Sequence, residues 1–303
     1  MTFKIVTADE RMAQQNGIKM VIAGPSGIGK TSLVWTLDPD KTLVLDMEAG
    51  MLALEGWTGD SVDVRAASRD LSMHPWEFLR LFACLVSGAS PSVVDPSKPY
   101  SQAHYGYAVQ TLGEREAVLG KYNTVFVDSI TQAGRYAFAW AQAQPEAFSE
   151  KTGKYDGRGA YGLMGQQMVG GSGWLSHLQH CNDKNIILVG ILQNKKDEFG
   201  RSSWELQVDG GKTGLEMPGI VDEVISMVEL KTEEGEPYRA FVCQTINQWG
   251  YPAKDRSGRL ALIEEPHLGK LMAKMKAGSR STKMVTTMPP TEAVASDAAP
   301  AQS

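Results

Sequence analysis

Residues 18–37 read IKMVIAGPSGIGKTSLVWTL. The first six, IKMVIA, form a short apolar run with Val and Ile, which predicts a buried strand. Gly24-Pro25-Ser26-Gly27-Ile28-Gly29-Lys30-Thr31 then matches G-x-x-x-x-G-K-[ST] at every position, and Thr31 to Leu37 predicts a helix ended by Asp38-Pro39. Strand, glycine loop and helix in that order make an anion cradle. The glycines let backbone N–H groups turn inward, and the helix offers its positive end. In this pattern Lys30 reaches the β- and γ-phosphates and the Thr31 hydroxyl coordinates magnesium. Ser32, at the start of the helix, belongs to the same candidate site. ATP and Mg²⁺ are therefore the expected ligands. Chance matches to the pattern number on the order of 0.02 in such a chain, so a ligand-free glycine turn is the weaker reading.

Outward from the loop, Thr42–Asp46 (TLVLD), Ser61–Arg65, Thr124–Asp128 (TVFVD), Ile186–Leu192 (IILVGIL), Glu223–Lys231 and Tyr238–Thr245 predict further strands. Helical spacing appears over Thr31–Leu37, Pro75–Val86, Val109–Leu119, Ile130–Ala143 and Gln166–Cys181. Alternation of the two predicts an α/β fold, a mainly parallel β-sheet with helices on both faces. Residues 88–107, rich in Pro, Ser and Gly, predict a loop insertion, and 149–162 a polar glycine-rich connection.

Three strand ends carry candidate chemistry, because ligands of open α/β sheets sit at the C-terminal edge. Asp128 ends an apolar strand as a magnesium-holding acid would, or else caps the next helix. Asp46 and Glu48 lie two residues apart in LVLDMEAG, on one face if the strand persists. Glu48 stands further toward the ligand and is the candidate general base; the alternative is a pair of solvated turn acids. Gln193, after IILVGIL, is a candidate γ-phosphate sensor, or a polar loop residue.

The 303 residues carry a net charge of −5, with 42% hydrophobic and 21% charged residues. This is a globular composition, and an acidic balance disfavours a broad nucleic-acid face. Cys84, Cys181 and Cys243 show no metal or redox spacing. No stretch predicts a membrane span or secretion signal, so a cytoplasmic location is expected. Residues 277–303 lack apolar periodicity and predict a disordered tail after a domain over 1–276.

GPSGIGKT, LDMEAG, VFVDSIT and GILQN together resemble the RecA/RadA recombinase ATPase core over roughly residues 16–246. MPGIVDEVISMVEL (217–230) is similar to a segment of phage RecA-like nucleotide-binding proteins, including the single-strand annealing group called Sak. The resemblance implies a RecA-like P-loop NTPase fold, ATP hydrolysis and assembly into a ring or filament. It further implies single-stranded DNA as partner, with annealing, recombination or replication as the process and host cytoplasm as the location. A single-strand-binding or replication protein would be a further partner. It puts a mobile DNA-facing loop at Lys195 to Lys212. There Lys195, Lys196 and Arg201, with Phe199 and Trp204, are candidate DNA contacts, or members of a solvated loop. Lys212, flanked by glycines, could act on a neighbouring subunit's γ-phosphate as an arginine finger does, or simply be solvated. Two other classes stay open: a small-molecule P-loop kinase, and a nucleotide-regulated binding module.

Overall fold

The computed structural model describes residues 5–14, 16–196, 198–200, 202–208 and 213–277. Among the described residues ten strands form one sheet: β1 (Lys19–Gly24), β2 (Thr42–Asp46), β3 (Asp60–Asp63), β4 (Thr124–Asp128), β5 (Asn185–Lys196), β6 (Ser202–Gln207), β7 (Glu223–Lys231), β8 (Pro237–Val242), β9 (Lys254–Asp255) and β10 (Ile263–Glu264). The helices are α1 (Ala8–Ala13), α2 (Val64–Asp70), α3 (Pro75–Ser87), α4 (Gln102–Leu112), α5 (Arg115–Leu119), α6 (Ile130–Gln142), α7 (Gly157–Val169), α8 (Trp174–Gln179), α9 (Thr213–Ile220) and α10 (Leu268–Lys276).

Strand order is β10-β8-β7-β1-β5-β4-β2-β3, with β6 added to β5 and β9 to β7. The run from β7 to β3 is parallel throughout, so the C-terminal ends of six strands share one edge. In the interior of that run β1, β2 and β4 are buried along their whole length, which is why they read as largely apolar runs, whereas β3 at the edge is mostly exposed. Met20 and Ile22 pack on one face with Leu33, Val34, Leu268 and Leu271. Val21 packs on the other with Trp76, Leu79, Trp174 and Leu175. Trp76 and Trp174 meet edge to face at 5.9 Å and lock α3 to α8. At the opposite edge the buried Lys184 donates to Leu119 O (2.9 Å) and Tyr122 O (2.7 Å), so its charge closes the end of α5. All three cysteines are buried and unpaired, as a packing role requires.

The predicted strands TLVLD and TVFVD occur with the bounds read from sequence. Other elements differ for identifiable reasons. The helix after the glycine loop is a short 3₁₀ turn, Thr31–Thr36, rather than α-helix. The third strand stops at Asp63, whose carboxylate accepts from Arg65 N and Ala66 N (2.9 Å each) and starts α2. The segment 88–107 is not loop throughout: Ser101 caps α4, and the buried Tyr100 stacks on His177 at 4.0 Å. The helix expected over 109–119 breaks at Gly113, which takes φ 99°. The one expected over 166–181 splits into α7 and α8 at the glycines of 170–173, and α7 starts early because Asp156 caps it. The predicted tail, 277–303, lies outside the described residues except for Ala277.

Candidate functional site

The loop after β1 takes its shape from its glycines. Gly27 (φ 80°) and Gly29 (φ 101°) hold left-handed conformations that a side chain would strain. Gly24 lies so close to β7 that an added Cβ would stand 2.7 Å from Met227 O. Ile28, half-buried, packs into the core below and donates from its amide to Pro25 O (3.4 Å). No other amide of residues 25–30 has a backbone partner among the described residues, so the cradle keeps its donors. Ser26 and Ser32 are exposed at its rim. Lys30 Nζ donates to Gly24 O and Pro25 O (2.9 Å each), which holds the ammonium over the loop. Burial lowers its pKa, while Asp128 and Glu48 pull it back up.

The strand register then delivers the acids. Asp46 and Asp128 are direct partners across β2 and β4, at the edge where the loop sits. Thr31 Oγ1 donates to Asp128 Oδ2 at 2.6 Å, which joins the loop to β4. The capping alternative for Asp128 fails, because Ser129 Oγ is the cap and accepts from Gln132 N (3.3 Å). A cis peptide joins Asp128 to Ser129. Asp128, 5% exposed, has its pKa pushed up to about 6, chiefly by burial. Donation from the Thr31 hydroxyl opposes that rise, Glu48 and Asp46 add to it, and Lys30 opposes it.

Asp46 has a task of its own. Its Oδ1 accepts from Glu48 N (3.0 Å) and Gly50 N (3.3 Å), curling the chain just past β2. Met47 N donates to Asp128 O (2.8 Å) and Tyr136 OH donates to Met47 O (3.1 Å), fixing the same turn. Asp46 is therefore occupied, and Glu48 is the carboxylate left exposed over the site. Glu48 Oε1 accepts a short hydrogen bond from Ser129 Oγ. Ser129 was not singled out by sequence; its signal is the polar residue directly after the strand-ending acid.

Gln193 stands two residues beyond Ile191, the β1 partner of Gly24, and shares the sheet face of Val189 and Ile187 that Leu33 and Val34 cover. The expected mobile loop at 195–212 is in part a hairpin: β5 runs through Lys196 and pairs antiparallel with β6. Lys195 is bridged to Glu205 (2.7 Å) and Lys196 is exposed. Arg201 and Lys212 lie outside the described residues.

An oxygen pair from Thr31 and Asp128 suits Mg²⁺, which takes one or two protein oxygens and completes its shell with phosphate and water. No group of three or more His, Cys, Asp or Glu forms a metal site among the described residues. The buried carboxylate carries a stability cost. Asp128 has a folded pKa of about 6 against the ordinary 3.8 of a carboxyl exposed to water in the unfolded chain, so between those values the folded state binds the extra proton. Above about pH 6 its charge costs on the order of 3 kcal/mol, a cost that disappears as pH falls below the unfolded value. Asp128→Asn is expected to raise the melting temperature of the nucleotide-free protein near pH 8 and not near pH 4. The same variant should lose the added stability that Mg²⁺ with ATP confers. Equal melting temperatures of variant and parent at both pH values would contradict the reading.

A glycine loop between β1 and a helical turn, facing acids at the ends of β2 and β4, defines a P-loop nucleotide-binding protein of α/β type. The chain belongs to the family described as an AAA domain, whose model matches residues 16–257. No curated protein matches the sequence. Among solved structures, a KaiC-like protein from the hyperthermophilic archaeon Pyrococcus horikoshii is similar at 13% identity and a TM-score of 0.33, covering 75% of this chain and 78% of that one. So loose a superposition leaves the fold to be defined by the strand order itself. No helix among the described residues is long and apolar enough to cross a membrane.

Proposed function

We propose that this chain is a magnesium-dependent ATPase of the RecA-like type that works on single-stranded DNA as a homo-oligomer. The observation that carries the ATPase reading is the meeting of Thr31 with Asp128 at 2.6 Å beneath the exposed Glu48. The amides of the loop bind the phosphates and Lys30 leaves its carbonyl partners for the β- and γ-phosphates. Mg²⁺ held by Thr31 and Asp128 would offset the charge of the β- and γ-phosphate oxygens. Glu48 orients the attacking water and takes its proton, while the hydroxyl of Ser129 keeps the carboxylate aimed. Gln193, on the strand between the loop and Asp128, senses the γ-phosphate.

The DNA reading draws its support from the hairpin that continues β5 away from the site. Lys196 and the ring of Phe199, 80% exposed, supply a cation and a stacking face. Lys195 contributes less, because Glu205 already neutralises it. The finer placement with phage single-strand annealing proteins rests on the resemblance of residues 217–230. The test measures phosphate release with and without single-stranded DNA, alongside a binding titration at about 50 mM salt, where phosphate contacts are strongest. DNA is expected to bind and to raise turnover, and Lys196→Ala to weaken binding. No binding, with turnover indifferent to DNA, would remove the DNA role and leave the ATPase.

A further inference from the structure

A cation that belongs to neither the loop nor the acid-bearing strands stands against the cradle. Arg239 lies on β8, opposite Glu229 of β7. Period-two alternation gives it the sheet face of Phe241, whose side chain packs in the same cluster as Leu33 and Val34. A Cβ added to Gly29 would stand 3.0 Å from Arg239 Nη1, 3.7 Å from its Cζ and 3.9 Å from Met227 Cε. The guanidinium therefore rests on the loop one residue before Lys30. The glycine leaves the room it occupies.

Three features point to an anion as its partner. Arg239 is exposed, with no ion pair to Glu229 or to any other carboxylate among the described residues. It stands against Gly29, in a loop whose amides, Ile28 N apart, have no backbone partner among the described residues. A guanidinium fork is shaped for phosphate oxygens, and the side chain is long enough to swing from the glycine to a ligand above it.

We propose that Arg239 is a phosphate-binding residue, contacting the polyphosphate of a nucleoside di- or triphosphate from the strand added beyond β7. The proposal rests on the nucleotide-binding part of the function above, and on neither hydrolysis nor DNA. It gives the phosphates a second cation on the side of the loop away from Asp128, so that Lys30 and Arg239 flank the chain.

The test is equilibrium titration of the full-length protein with Mg²⁺–ATP and, separately, with Mg²⁺–tripolyphosphate. Arg239→Ala and Arg239→Gln should each weaken both ligands by about tenfold, the scale of one charge-assisted hydrogen bond, and Arg239→Lys should recover part of the loss. The melting temperature without ligand should stay near that of the parent, because the side chain is exposed. Affinities of both variants within about twofold of the parent would overturn the proposal while leaving the ATPase reading intact. Loss of ATP affinity with unchanged tripolyphosphate affinity would also overturn it, assigning Arg239 to the base or sugar. A parent chain that binds neither ligand would defeat the nucleotide reading and this proposal together.

Discussion

Glu48→Gln is expected to reduce ATP turnover by about 10²- to 10⁴-fold, the usual contribution of a positioned general base, with ATP affinity little changed. The amide is nearly the same size as the carboxylate and keeps an oxygen to accept from Ser129 Oγ, so the turn from Met47 to Gly50 should persist. What it lacks is the basicity to take a proton from water. Asp46 cannot replace it, since its carboxylate is 6% exposed and holds Glu48 N and Gly50 N. Asp128 cannot either, since it is buried and its carboxylate accepts from the Thr31 hydroxyl. Turnover within a few-fold of the parent in Glu48→Gln would remove Glu48 from the chemistry.

Lys30→Ala acts one step earlier. It should weaken ATP by about tenfold or more and lower turnover by at least about 10²-fold, because one charge-assisted contact and its stabilisation of developing charge are both lost. The fold should survive. Among the described residues, the hydrogen bonds of Lys30 Nζ are to the carbonyls of its own loop, Gly24 and Pro25, and to no other element. Burial already disfavours its charge, so the variant's stability without nucleotide should stay within about 1 kcal/mol of the parent's. Unaltered ATP affinity in Lys30→Ala would place the nucleotide elsewhere. Comparison with Glu48→Gln separates binding from chemistry, since the first variant loses both and the second only turnover.

The chemistry that sequence could show was local. Eight consecutive residues define the cradle, and an acid directly after an apolar run marks Asp46 and Asp128, because a strand covered on both faces needs apolar residues at every position. Glu48 was legible by its offset of two from Asp46. What holds it was not, since Ser129 lies 81 residues away and only the β2–β4 register brings the two together. Arg239 reaches Gly29 for a like reason, through the pairing of β8 with β7.

The misjudged elements share a cause as well. In α4 only Ala108 is buried, so Gln102–Leu112 shows little apolar periodicity, and its start depends on a single capping serine. β5 continues through Gln193 to Lys196 because backbone bonds to β6 hold it, with polar side chains that read as loop. Gly113 and the glycines at 170, 171 and 173 divide helices whose apolar patterns run on past them.

The proposed hydrolytic site places Thr31, Asp128 and Glu48 around Mg²⁺–ATP. The most direct measurement is inorganic phosphate release from ATP by the purified chain, run with Mg²⁺, with Mg²⁺ chelated, and in the Glu48→Gln variant. Release that requires Mg²⁺ and collapses in Glu48→Gln, while that variant still binds ATP, is the predicted result. Release that persists without Mg²⁺, or at the parent's rate in Glu48→Gln, would contradict it.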